Sequence, residues 1–99
     1  VLLYLLAVNP TDSVTEGFLP AAARLGLDVI VLTDRPDEHR HAYTEHPTPP
    51  AAVVGVNVHD FREVVAEIAN SGTPDAIFSN SDHLQTPTAL AAAFFDLPA

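Results

Sequence analysis

The chain has 99 residues, the size of one domain, and at that length roughly two thirds of the unfolded surface can be buried. Its formal charge is −9, with four Arg and no Lys, a surface that repels phosphate backbones and anionic lipid. This argues against nucleic-acid and membrane-surface roles. It has no Cys, so neither a disulfide framework nor a thiolate metal site is possible.

The first element is "VLLYLLAV", Val1 to Val8. It is too short to span a bilayer and no basic residues precede it, so it reads as a strand and not a leader. With no Met anywhere, both ends read as trimmed. Three more apolar runs have strand length: "DVIVLT" (Asp28 to Thr33), "AAVVGVNV" (Ala51 to Val58) and "DAIFSN" (Asp75 to Asn80). All four are continuously apolar, the pattern of strands covered on both faces in a parallel sheet.

Helical stripes fall between them. Val14, Phe18, Ala22 and Leu25 form one; Phe61, Val64, Val65 and Ile68 a second; Leu90, Ala91, Phe94 and Phe95 a third. Ser13 with Glu16, and Asp60 with Glu63, have capping-box spacing. Gly26 and Gly72 stand where a left-handed residue closes a helix. Pro20 leaves the start of the first helix open, because a helix either kinks there or begins late. Strands alternating with helices imply right-handed crossovers. The expected fold is a three-layer, Rossmann-like α/β domain over residues 1–99, its four parallel strands in the order third, second, first, fourth.

One connection breaks the pattern. Asp34 to Pro50 carries four Pro and no apolar period, and is expected to be exposed and mobile with Tyr43 as its anchor. His39, His41 and His46, with Glu38 and Glu45, can be drawn as a metal cluster. Zinc ligands need rigid support that a Pro-rich loop rarely supplies, so a solvated loop is the better account and no metal residues are assigned. His59 is read as lying beside a helix start.

Nucleotide signatures are missing. The turn after the first strand, "VNPTDSVTEG", has only Gly17 where a dinucleotide fold needs G-x-G-x-x-G, and a Walker loop lacks its Lys. A phosphoryl-receiver domain also fails for want of Lys. The richest polar cluster is "SNSDHLQT", directly after the fourth strand. In open α/β sheets ligands sit at the carboxyl ends of strands where strand order reverses. That crevice is lined by Asn9 to Ser13 and by Ser79 to His83. Ser, Asn and Asp are also turn formers and helix caps, and both readings stand. Ser81, Asp82 and His83 are neighbours in one turn and do not make a catalytic triad.

"AAARLGLDVIVLTDRPDEHRHAY" (Ala21 to Tyr43), with "PDAIFSNSDHLQTPTALAAAFFDLPA" (Pro74 to Ala99), resembles the N-terminal, pre-ATP-grasp domain of ATP-grasp ligases. The biotin-carboxylase-like and amino-acid-ligase-like branches are the nearest in texture. Asp82 stands at that family's acidic position; Asp96 replaces a usual Gly, and His83 follows where an aromatic is common. The resemblance implies a truncated N-terminal fragment of a cytoplasmic biosynthetic ligase that acts through an acyl phosphate. ATP and Mg²⁺ would be held by later domains and no cofactor by this one. Asn9, Thr11, Ser81, Asp82 and His83 would contact a small carboxylate or amino-acid substrate, Asp82 through its amine, with no catalytic residue here. Partners would be the remaining domains of the same enzyme, with a homodimer possible and neither nucleic acid nor membrane involved. The alternatives are a non-catalytic α/β binding or assembly module and the first half of a two-Rossmann-domain glycosyltransferase.

Overall fold

A computed structural model describes residues 2–11, 13–72, 74–79 and 84–95, excluding the side chain of Ser13. Its centre is a sheet of four strands, β1 (Leu2–Leu6), β2 (Asp28–Thr33), β3 (Ala52–Gly55) and β4 (Ala76–Phe78). All three pairings are parallel and the order is β3-β2-β1-β4. Leu2 lies beside Asp28 and Leu6 beside Leu32; Leu3 lies beside Ala76 and Leu5 beside Phe78. The expected sheet is therefore the observed one, with shorter ends on β1, β3 and β4.

Alternation along β1 sends side chains to two separate cores. Tyr4 and Leu6, with Leu32 of β2, meet Val64 and Ile68 of α3 (Phe61–Ser71) and Ala91 of α4 (Gln85–Phe94). Leu5 and Ala7, with Val29 and Val31, meet Val14, then Leu19 and Ala22 of α1 (Leu19–Arg24) and Tyr43 of α2 (Pro36–Tyr43). Helices thus cover both faces, and this two-sided burial is why the strands read as unbroken apolar runs. A fully buried side chain such as Ile68 contributes about 1.5–3 kcal/mol through this burial.

The first helix resolves the Pro20 problem. Ser13–Phe18 form a wide π-helical turn that runs directly into α1, where Pro20 occupies the first turn. A proline ring collides with the carbonyl four residues back in a regular helix; widening the preceding turn relieves that contact. Gly26, at φ +71°, closes α1. Leu27 N–H donates to the Ala22 carbonyl and Gly26 N–H to that of Ala23, the two bonds of a Schellman motif. The reversal leaves Leu25 74% exposed and packs Leu27 instead, so Leu25 does not belong to the apolar stripe. Gly72 also has positive φ, but at φ 139° and ψ 154° it is extended and not left-handed helical. Asp60 caps α3 by accepting from Arg62 N–H, and not from the Glu63 N–H of a capping box.

The connection Asp34 to Pro50 is not structureless. Eight of its residues form α2, opened by Pro36 in the first turn, with Asp37 and Glu38 near its start and Arg40 and His41 near its end. These charges oppose the helix dipole favourably. No apolar period was visible because the buried stripe is just His39 and Tyr43, four residues apart. Tyr43 is the anchor expected of it. Arg40 further ties α2 to the sheet by donating to the Val53 carbonyl at 3.0 Å.

The third apolar stripe also needs correction. Leu90 and Phe94 are 44% and 65% exposed, while Leu84, Pro87, Thr88, Ala91 and Ala92 face inward. Ala91 joins the core with Val64 and Ile68 of α3, and the side of α4 that carries Leu90 and Phe94 is left outward. Among the described residues, no helix is long and apolar enough to cross a membrane.

Candidate functional site

Strand order reverses between β1 and β4, the place where open α/β sheets form a ligand crevice. Asn9 and Thr11 are on the first loop there, after β1. Asn80, Ser81, Asp82 and His83, on the second, after β4, lie outside the described residues, as does Asp12. Of the second loop Ser79 is described: it is buried, and its carbonyl accepts from Gln85 Nε2 at 3.2 Å. Thr11 is exposed, and its carbonyl starts the π-helical turn by accepting from Val14 and Thr15 N–H at 3.0 Å. On one side of the crevice Phe18 stacks on Phe78, ring centroids 5.4 Å apart and planes 11° from parallel. This joins the turn to β4.

The loop after β1 is held from the β2 side. The Val8 carbonyl accepts from His39 Nε2 at 3.1 Å and from Thr33 Oγ1 at 3.4 Å. Thr33, fully buried at the end of β2, in turn accepts from Arg35 N–H at 3.0 Å. Arg35 Nη1 then reaches across to Asn9 Oδ1 at 3.0 Å, with Glu38 a looser 3.9 Å away. Asn9 thus stands at the exposed end of this network, its oxygen accepting from Arg35.

His39 is fully buried, and its tautomer follows from its partners. A carbonyl cannot donate, so Nε2 carries the proton given to Val8 and Nδ1 accepts from the Tyr43 hydroxyl at 2.8 Å. Burial pushes the imidazole below its usual pKa, against opposing pulls from the Val8 carbonyl, Glu38 and Asp34. Burial likewise pushes the Tyr43 hydroxyl up to about 12. The expectation that His39 sits in a solvated loop is overturned. His46 is committed elsewhere: Nε2 donates to the Thr15 carbonyl, and Nδ1 accepts from Thr48 N–H at 3.0 Å. Among the described residues, no group of three His, Cys, Asp or Glu is placed to hold a metal ion.

No protein-family model matches the chain, and no curated protein matches it.

Sequence reasoning placed Asn9 and Thr11 at the crevice but left out Thr33, Arg35 and His39. The signal was there in "LTDRP". Neighbouring parallel strands end side by side, so polar residues just after β2 must meet those just after β1. Two surface hollows lie elsewhere. An open depression of about 580 Å³ is lined by His41, Thr44, Glu45 and His46, and a smaller one of about 160 Å³ opens among Leu19, Asp28 and Pro49.

Proposed function

We propose that this chain is the N-terminal substrate-cleft domain of a cytoplasmic ATP-dependent carboxylate–amine ligase, forming one wall of the cleft. The observation that carries the reading is the reversal of strand order between β1 and β4, beside which the loop after β1 is bonded to Arg35 and His39. Crevices at such reversals receive ligands in open α/β sheets, and a bonded loop lowers the ordering cost of binding. The resemblance of residues 21–43 and 74–99 to pre-ATP-grasp domains supplies the reaction class. Asn9, Thr11, Ser81, Asp82 and His83 are the proposed substrate contacts, with Asp82 meeting the amine.

The turn after β1 lacks the features that hold MgATP. Gly17 lies within the π-helical turn and not in a loop that could wrap a phosphate. There is no Lys, and Arg40 is occupied by the Val53 carbonyl and Asp37. No nucleotide step is assigned to this chain. ATP and Mg²⁺ belong to the remaining domains of the proposed enzyme.

The test is a pair of titrations. Small amino acids should shift the backbone NMR resonances of Asn9, Thr11 and Ser79 with weak affinity, while calorimetry with MgATP should show no tight binding. Micromolar MgATP affinity, or amino acids that leave those resonances unmoved, would overturn the reading.

A further inference from the structure

We infer that Arg35 is a carboxylate-recognition residue at the carboxyl edge of the sheet, presenting its guanidinium fork to a monoanionic carboxylate beside the loop after β1. This deepens the ligase reading, and rests on it for the identity of the ligand as a substrate.

Three observations converge on Arg35. Its position is built from both ends: the backbone N–H is fixed by buried Thr33 Oγ1, and the guanidinium by Asn9 Oδ1 at 3.0 Å. The fork is incompletely used. Nη1 serves Asn9 and, at 3.9 Å, Glu38; no other bond to the guanidinium forms among the described residues, and the side chain is 49% exposed. Nε and Nη2 therefore offer parallel N–H donors to solvent, the spacing that matches a carboxylate. Finally, Arg35 is one of only four Arg in a chain of charge −9, and it stands at the carboxyl end of β2 within reach of the loop after β1.

Hydration favours the singly charged anion. Attraction and repulsion both double for a phosphate dianion, but its hydration grows faster than its charge, so it gives up more than a monocarboxylate on leaving water for this half-exposed fork. Glu38, 59% exposed and loosely held, is a placeholder that an incoming carboxylate displaces at little cost.

The experiment follows the Arg35 Nε–Hε NMR resonance, assigned through R35K, during titrations of acetate, glycine, glycinamide and inorganic phosphate. Acetate and glycine should shift it, glycinamide should not, and phosphate should act more weakly than acetate. R35K keeps the charge and loses the fork, and should raise the acetate Kd about tenfold, as loss of a charge-assisted hydrogen bond does. E38Q removes the competing carboxylate and should tighten acetate about two- to threefold, an effect that a purely structural Arg35–Asn9 strap would not produce. An acetate Kd unchanged in R35K and E38Q overturns the inference, and so does tighter binding of phosphate. Two outcomes separate this inference from the ligase reading. If glycine shifts Asn9, Thr11 and Ser79 without moving Arg35, the inference falls and the cleft reading stands. If acetate binds through Arg35 but amino acids gain nothing from their amine, the inference stands and the ligase reading falls.

Discussion

The Tyr43 hydroxyl donates to His39 Nδ1 at 2.8 Å inside the second core, while the other ring nitrogen of His39 donates to the Val8 carbonyl. One neutral imidazole thereby couples α2 to the loop that carries Asn9. This pair ties the helix to the proposed site.

Stability should depend on the protonation of His39. Its folded pKa lies below the ordinary 6.5, so the unfolded chain binds more protons near and below that pH. The contribution is fully present above pH 6.5 and is lost as pH falls through the folded value. Urea unfolding at a series of pH values from 8 to 5 should show declining stability, with a flatter decline in His39→Gln. An equal slope in both would place the effect in other groups. At the alkaline end the sign reverses. The Tyr43 pKa of about 12 exceeds its ordinary 10, so that contribution is lost as pH rises from 10 towards 12.

Truncating the first core should show how much of the stability it supplies. Ile68 is fully buried between α3 and the sheet, and Ile68→Ala leaves a cavity that close-packed neighbours fill only in part. A loss of about 2–5 kcal/mol is expected from chemical denaturation. Phe94→Ala, at a 65% exposed position on α4 where the ring meets only the edge of Phe95 among the aromatic rings described, should cost no more than about 1.5 kcal/mol. Comparable losses at the two positions would contradict the packing described.

Two glycines should respond to alanine in opposite directions. Gly26 holds φ +71° in the Schellman turn, where a Cβ is strained, and Gly26→Ala should cost about 1 kcal/mol. Gly17 lies in the π-helical turn with nothing within 4 Å of a Cβ, so Gly17→Ala should stabilise by about 0.5–1 kcal/mol. Thermal unfolding of the two variants checks both signs. A stabilised Gly26→Ala would mean that the chain leaves α1 by another route.

Thr88 offers a stabilising substitution. Its Oγ1 is buried on the inward side of α4 and has no hydrogen-bond partner among the described residues. An unmade bond of this kind costs about 1–3 kcal/mol, and Thr88→Val removes the hydroxyl at nearly constant shape. The variant should be more stable by about 1 kcal/mol in denaturant titration. A loss instead would show that the hydroxyl is satisfied in solution.

Much of the architecture was legible in the chain because its physical causes are local or composition-wide. "VLLYLLAV" and "DVIVLT" are apolar on both faces because helices cover both, and that alone implies parallel strands. Right-handed crossovers then leave few orders for four strands, and β3-β2-β1-β4 is the one formed. Gly26 and Asp60 announced helix ends through backbone chemistry that neighbouring residues supply. The rest depended on contacts between distant positions. α2 was hidden because its inward stripe pairs a histidine with a tyrosine, and His39 becomes a core residue only when Val8, 31 positions away, supplies a carbonyl. Leu25, Leu90 and Phe94 carry the pattern of buried residues, yet the turn at Gly26 and the packing of α4 through Ala91 left them outside. Arg35 looked like one charge on a polar loop. Its meeting with Asn9 exists because β1 and β2 end side by side, a proximity created by the sheet and by nothing local to either residue.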